Sequence, residues 1–189
     1  MQATGRVSSA DIGSARRTTI AADRPMELDR LEFACAPAQV RRAGAAYLHS
    51  TYFDTAALTL VTAGYSLRYR VSGTDASWTL SCPDGMEHRR SAPAGVDGVV
   101  PADLRALAGV ALHDQPVTAL LGVTRVDIRY EVRAVDGALL AEVVEDTVEA
   151  VHLLTGGHIG TWRRVQVDAA ENGDAALARR IAQLLRSAG

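Results

Sequence analysis

At 189 residues, with 48% hydrophobic content and a net charge of -2, the chain can bury one substantial core and carries no charge excess that would mark a nucleic-acid or membrane-surface partner. All twenty basic residues are arginine, which excludes Schiff-base chemistry and a catalytic ammonium. Cys35 and Cys82 are too few for a disulfide framework, no apolar run is long enough to span a bilayer, and residues 1–25 lack the apolar centre of a signal peptide, so a cytoplasmic protein is expected.

Residues 1–25, rich in Ser, Thr, Ala, Gly and Arg, read as a disordered or loosely attached arm, and 26–189 as a single domain. Strands are expected over 27–35, 47–54, 65–71, 77–82, 88–92, 124–134, 139–147 and 161–169. Turns at Ser72-Gly73, Pro83-Asp84-Gly85 and Asp136-Gly137 separate several of them. Gly156-Gly157-His158-Ile159-Gly160 reads as a hairpin loop, since a P-loop needs a lysine that the chain lacks. Helices are expected at 37–46, with proline at its start, at 101–107, and at the C-terminus. There Asp174 is the expected N-cap, Leu177, Ile181, Leu184 and Leu185 form an apolar stripe, and Arg186 complements the helix dipole. Eight strands with few helices predict an α+β protein built on an eight-stranded antiparallel barrel with external helices.

Side chains alternate along a strand, so Ser66, Arg68 and Arg70 share one face while Leu67, Tyr69 and Val71 share the other. The same division separates Arg125, Asp127, Arg129, Glu131 and Arg133 from Val126, Ile128, Tyr130 and Val132. It returns in Trp162, Arg164, Gln166 and Asp168 against Arg163, Val165 and Val167. A solvated outer sheet face gives such a pattern in one strand; its recurrence points to a barrel with a charged lumen. Guanidinium forks match phosphate or carboxylate, and the bland alternative is internal salt bridging of these arginines with Asp127, Glu131 and Glu142. Tyr47, Tyr52, Tyr65 and Tyr69 are hydroxyl donors or packing residues. The five histidines have no zinc-helix spacing, and His88, beside Arg89 and Arg90, is the candidate proton carrier.

The run Tyr52-Phe53-Asp54-Thr55, then Leu58 and Leu60, then Gly64-Tyr65-Ser66-Leu67-Arg68-Tyr69-Arg70, resembles the CYTH family of triphosphate tunnel enzymes. Trp78-Thr79-Leu80, Leu140-Ala141-Glu142-Val143 with Asp146, and Trp162-Arg163 follow in the family's order, so the resemblance covers about residues 26–188. It implies a tunnel barrel and triphosphate chemistry with magnesium or manganese held by carboxylates. The family's opening E-x-E-x-K is altered in either register. Glu27 and Asp29 can take the carboxylate positions with Leu31 in place of lysine, or Leu28, Arg30 and Glu32 take the three positions. A second lysine is replaced at Ser81, and the late acidic strand reads Trp162-Arg163-Arg164-Val165-Gln166-Val167-Asp168. An arginine repels a divalent cation and a neutral amide binds it weakly.

Three readings follow. In the first, the tunnel serves a small-molecule enzyme that binds an anionic substrate, phosphorylated, prenyl-diphosphate-like or carboxylate. Arg68, Arg70, Arg125, Arg129, Arg30 and Arg164 would bind it, with Gln166, Tyr65 and Ser81, and Glu32, Glu142 or His88 would supply acid-base catalysis. In the second, the protein hydrolyses inorganic, nucleotide or thiamine triphosphate with magnesium or manganese on Glu142, Asp146 and Asp168, joined by Glu27 and Asp29. In the third, it is a non-catalytic binding or scaffold domain.

Overall fold

The computed structural model describes residues 17–22, 24–26, 31–32, 38–92, 99–171 and 175–187. The strands are β1 (Arg17–Ala21), β2 (Gln39–Asp54), β3 (Ser66–Ser72), β4 (Asp75–Ser81), β5 (Glu87–Ala92), β6 (Thr118–Arg133), β7 (Leu139–His152) and β8 (His158–Ala169). The helices are α1 (Thr59–Thr62), α2 (Ala102–Leu107), α3 (Gly109–Leu112) and α4 (Ala175–Ser187). Among the described residues, eight strands join one sheet in the order β1-β8-β7-β6-β2-β3-β4-β5, the antiparallel α+β arrangement expected from the sequence.

Local chemistry explains the hairpins. Between β6 and β7, Gly137 takes φ 88°, Asp136 accepts the Ala138 N–H at 3.1 Å, and Ala134 N–H donates to the Ala138 carbonyl at 2.9 Å. A hairpin loop joins β7 to β8 as expected, with His152 N–H donating to the Gly157 carbonyl at 2.8 Å, but His158, Ile159 and Gly160 of the expected loop already belong to β8.

Several expectations are corrected. Within the arm, Arg17–Ala21 forms β1, paired with β8 from Arg17 opposite Asp168 to Ala21 opposite Arg164. Leu31 and Glu32 are helical rather than extended, and the other residues of the expected 27–35 strand lie outside the described residues. The expected helix 37–46 is the first half of β2 from Gln39 onward. Alanine and arginine favour helix, but propensity is small beside sheet pairing, and the segment's place between β6 and β3 overrides it. Helices α1 and α3, each a single turn, were not expected. In α4 the buried residues are Leu177, Ala178, Ile181 and Ala182, while Leu184 is exposed, so small alanines complete the seam that packs against β1. Its expected cap, Asp174, lies outside the described residues.

The chain divides into two compact units. One comprises Met1–Ala43, Arg129–Val144 and Arg164–Gly189, and there Tyr130, Val132, Ala141, Val143, Val165 and Val167 alternate with charged neighbours and are buried. The other comprises Gly44–Ile128 and Glu145–Arg163. Its core sets Phe53, Leu67, Tyr69, Trp78 and Leu80 of the sheet together with Leu60, Leu104 and Leu112 of the three short helices and Ala108 between α2 and α3. Trp78 anchors this core, with the Phe53 ring centroid 4.8 Å away and that of Tyr69 5.1 Å away, both tilted.

Candidate anion-binding face

The register of β2 to β5 sorts the side chains of this second unit into two faces. Phe53, Leu67, Leu80 and His88 form one cross-strand row, and Thr51, Tyr69, Trp78 and Arg90 the next, on the face covered by helices. On the opposite face Tyr52, Arg68, Thr79 and Arg89 stand in one row, and Ser50, Arg70, Ser77 and Ser91 in the next. The alternation of the pleat therefore sets three arginines among hydroxyls across four adjacent strands.

Asp54 and Thr55 fix the end of β2 where this face begins. The buried Asp54 carboxylate accepts the N–H groups of Thr55 at 2.7 Å, Leu60 at 2.8 Å and Val61 at 3.0 Å. Thr55 Oγ1 accepts the Thr59 N–H at 3.1 Å and lies 2.9 Å from Thr59 Oγ1. Together they satisfy the orphan donors of α1, which is too short to hold itself. The chain then returns through Gly64 at φ 81°, where a Cβ would sit 3.2 Å from Pro83 Cβ, and enters β3. The aspartate and threonine of the Tyr52-Phe53-Asp54-Thr55 run are thus a latch that places β3 and its arginines.

Partners separate the arginines into two groups. Arg125 Nε lies 2.9 Å from Asp127 Oδ1 and 3.0 Å from Asp146 Oδ1; burial opposes its charge, and the Asp127 hydrogen bond and the Asp146 charge outweigh it and raise its pKa. In the first unit Arg129 pairs with Glu142 at 3.4 Å, Arg133 with Glu131 at 2.9 Å, and Arg17 with Asp168 at 2.7 Å. Arg133 first, and then Arg41 and Arg129, hold Glu131 below the ordinary carboxylate range, against a smaller desolvation. Salt bridging, the bland alternative, therefore describes Arg125 and Arg129. Arg68 and Arg70, both half-buried, make no ion pair among the described residues, and Arg68 Nε is buried without a hydrogen-bond partner there. A buried guanidinium N–H left unpaired is costly, so this face has the chemistry of a receptor for an anion.

The remaining predicted residues are dispersed. His88 lies on the helix-covered face, across the pleat from Arg68 and Arg89, and so does not share their surface. Glu142 and Glu32 belong to the first unit, Glu142 already held by Arg129 and Glu32 exposed beside buried Leu31. Ser81 Oγ donates to Glu87 Oε1 at 3.1 Å, Gln166 Nε2 donates to Asp168 Oδ2 at 2.6 Å, Arg164 stands opposite Ala21, and Tyr65 lines a cavity beside α1. Arg30, Glu27 and Asp29 lie outside the described residues. Arg89, Ser50, Ser77 and Thr79 escaped the sequence reading, although the alternation Ser77-Trp78-Thr79-Leu80 and Glu87-His88-Arg89-Arg90 carries their signal.

For magnesium or manganese, the described residues do not fit. Asp146, Glu142 and Asp168 are each taken by an arginine, and no group of three metal-ligating side chains occurs among the described residues. Nor does any described helix have the length and apolarity to cross a membrane.

No family model and no curated protein matches the chain. Among solved structures it is similar to an adenylyl cyclase candidate from Hippeastrum with a dominant triphosphatase activity, at 17% identity and TM-score 0.41, over 90% of this chain and 84% of that one. It is also similar to an adenylate cyclase candidate from Bacillus halodurans, at 10% identity and TM-score 0.41, over 90% and 87%. An inorganic triphosphatase matches at 17% identity and TM-score 0.31, over 85% and 78%.

Proposed function

We propose that this chain is a divergent CYTH-type tunnel protein that binds a small anionic molecule, bearing a phosphate, a phosphate chain or a carboxylate, on the polar face of β3. The observation that carries this reading is the contrast between Arg68 and Arg70, which lack carboxylate partners among the described residues, and the paired Arg125, Arg129 and Arg133. Arg68 and Arg70 present two forks on one strand, two residues and so about 7 Å apart. Their long, flexible stems let both forks converge on one phosphate chain or carboxylate. Ser77 and Thr79 from β4, and Ser50 and Tyr52 from β2, flank the forks and supply hydroxyl donors. Arg89 on β5 widens the positive field.

Of the acid-base candidates, Glu142 is committed to Arg129 and His88 lies on the other face of the β2–β5 sheet from Arg68 and Arg70. A metal-dependent hydrolase would draw on Asp146, Glu142 and Asp168, carboxylates that arginines already hold.

A ligand that binds only the folded state raises the melting temperature in proportion to the logarithm of its concentration. Tripolyphosphate, inorganic phosphate and citrate are therefore expected to raise the thermal unfolding midpoint, tripolyphosphate most, with the effect shrinking in high salt. If none of the three moves the midpoint at millimolar concentration, the binding reading is wrong. Phosphate release that needs magnesium or manganese and stops with chelator would replace it by the hydrolase reading.

A further inference from the structure

A mostly apolar cavity opens where β2 ends and β3 begins, lined from both sheet faces: Tyr52 and Ser66 belong to the arginine-bearing face, Phe53 and Leu67 to the helix-covered one. About 220 Å³ in volume, it is lined by Tyr52, Leu58, Val61, Ser66, Leu120 and Leu121 among others, all within the second unit. Two lining residues tie it to the anion site. Tyr52 stands directly opposite Arg68 in the β2–β3 register, and Ser66 lies two residues before Arg68 on the same strand face, a step of about 7 Å. Leu58 and Val61 at α1, and Leu120 and Leu121 of β6, give it aliphatic walls beside the Phe53 and Tyr65 rings, and Leu58 and Val61 are exposed at 49% and 61%.

From this juxtaposition we infer that the ligand is amphiphilic: its anionic group sits on Arg68 and Arg70, and a compact apolar group carried by the same molecule fills the cavity between Val61 and Leu121. The inference rests on the binding reading above and narrows it to a substrate class. The volume equals that of about seven water molecules, enough for one aromatic ring or a short branched chain. Orientation follows from polarity, because an apolar cavity does not repay the dehydration of a phosphate and the polar face offers an apolar group no partners. The Tyr52 ring, between the two regions, would cover the junction of head and tail.

The test compares phenyl phosphate with inorganic phosphate by titration calorimetry on the full chain, in the wild type and in Val61→Trp and Arg68→Ala. Val61 is exposed on a one-turn helix, so a larger side chain there can occupy the cavity mouth without disturbing the core, and a thermal melt checks that the variant folds. Wild type is expected to bind phenyl phosphate at least tenfold tighter than inorganic phosphate, since burying one ring removes apolar surface worth that factor or more. Val61→Trp should abolish this preference and leave inorganic phosphate binding unchanged, while Arg68→Ala should weaken both ligands. Equal affinity of the two ligands in the wild type would overturn the inference while leaving the anion reading intact. Equal weakening of both ligands by Val61→Trp would overturn it too. If neither ligand nor tripolyphosphate binds the wild type, both readings fail together.

Discussion

Replacing Asp54 by alanine removes one acceptor from three backbone donors at once. The N–H groups of Thr55 and Leu60 belong to fully buried residues, whereas Val61 is exposed and water can take over its bond. A buried donor left unsatisfied costs roughly 1–3 kcal/mol, and loss of a helix cap about 1 kcal/mol in itself. Two stranded donors and one hydrated one therefore put the cost at about 3 kcal/mol. For a chain of this length each kcal/mol moves the melting temperature by roughly 2–4 °C, so a fall of about 9 °C is expected. Asp54→Asn keeps one oxygen that can accept from Thr55 and Leu60 and loses only the bond to Val61, so its fall should be about a third as large. Thermal unfolding followed by far-ultraviolet circular dichroism, checked for reversibility, measures both variants. If alanine costs no more than asparagine, the carboxylate is not a latch and the placement of β3 has another cause.

Gly64→Ala should cost about 1–2 kcal/mol by the same assay, since a residue at φ 81° pays left-handed strain and its Cβ would press on Pro83. Glu131 has a depressed pKa in the folded state, so the stability its ion pairs give is present above the ordinary carboxylate range and is lost as pH falls through the lower folded value; Glu131→Gln should flatten the acid limb of a melting-temperature profile. Burial first, and Asp84 second, raise the pKa of the Cys82 thiol, so in a Cys35→Ser background its alkylation by iodoacetamide near pH 8 should run several-fold slower than that of a free thiol, and a rate equal to the free thiol would contradict the assignment.

How far the sequence disclosed this molecule depended on whether the relevant interactions were local. Strands β3 to β8 were legible because their alternation and their turns, such as Asp136-Gly137, are written within a few residues. The polar and apolar faces were legible for the same reason: Arg68 and Arg70 against Leu67 and Tyr69 needed only the period of two. Strand β1 was not, because Arg17-Thr18-Thr19-Ile20-Ala21 is short and polar and becomes a strand through β8, some 150 residues away, where Arg17 meets Asp168. The start of β2 was misread for a related reason, since Val40-Arg41-Arg42-Ala43 has helical propensity and only its neighbouring strands make it extended. Helix α1 has no periodicity to read, being one turn held by Asp54 and Thr55. Within the site, the sequence supplied the arginines but not their sorting. Whether Arg125 is a ligand or a salt bridge turns on Asp146, twenty-one positions on, which only the pairing of strands brings to 3.0 Å.

The most direct test of the central claim is a calorimetric titration of tripolyphosphate into wild type, Arg68→Ala and Arg90→Ala. Arg90 is paired with Asp103 and sits on the helix-covered face, so it controls for the loss of one positive charge without touching the proposed site. A charge-assisted hydrogen bond is worth about 1.5–3 kcal/mol, so Arg68→Ala should weaken binding by roughly 10- to 100-fold while Arg90→Ala stays within about twofold of wild type. Equal affinity in all three proteins, or equal weakening in both variants, would contradict an anion site on β3.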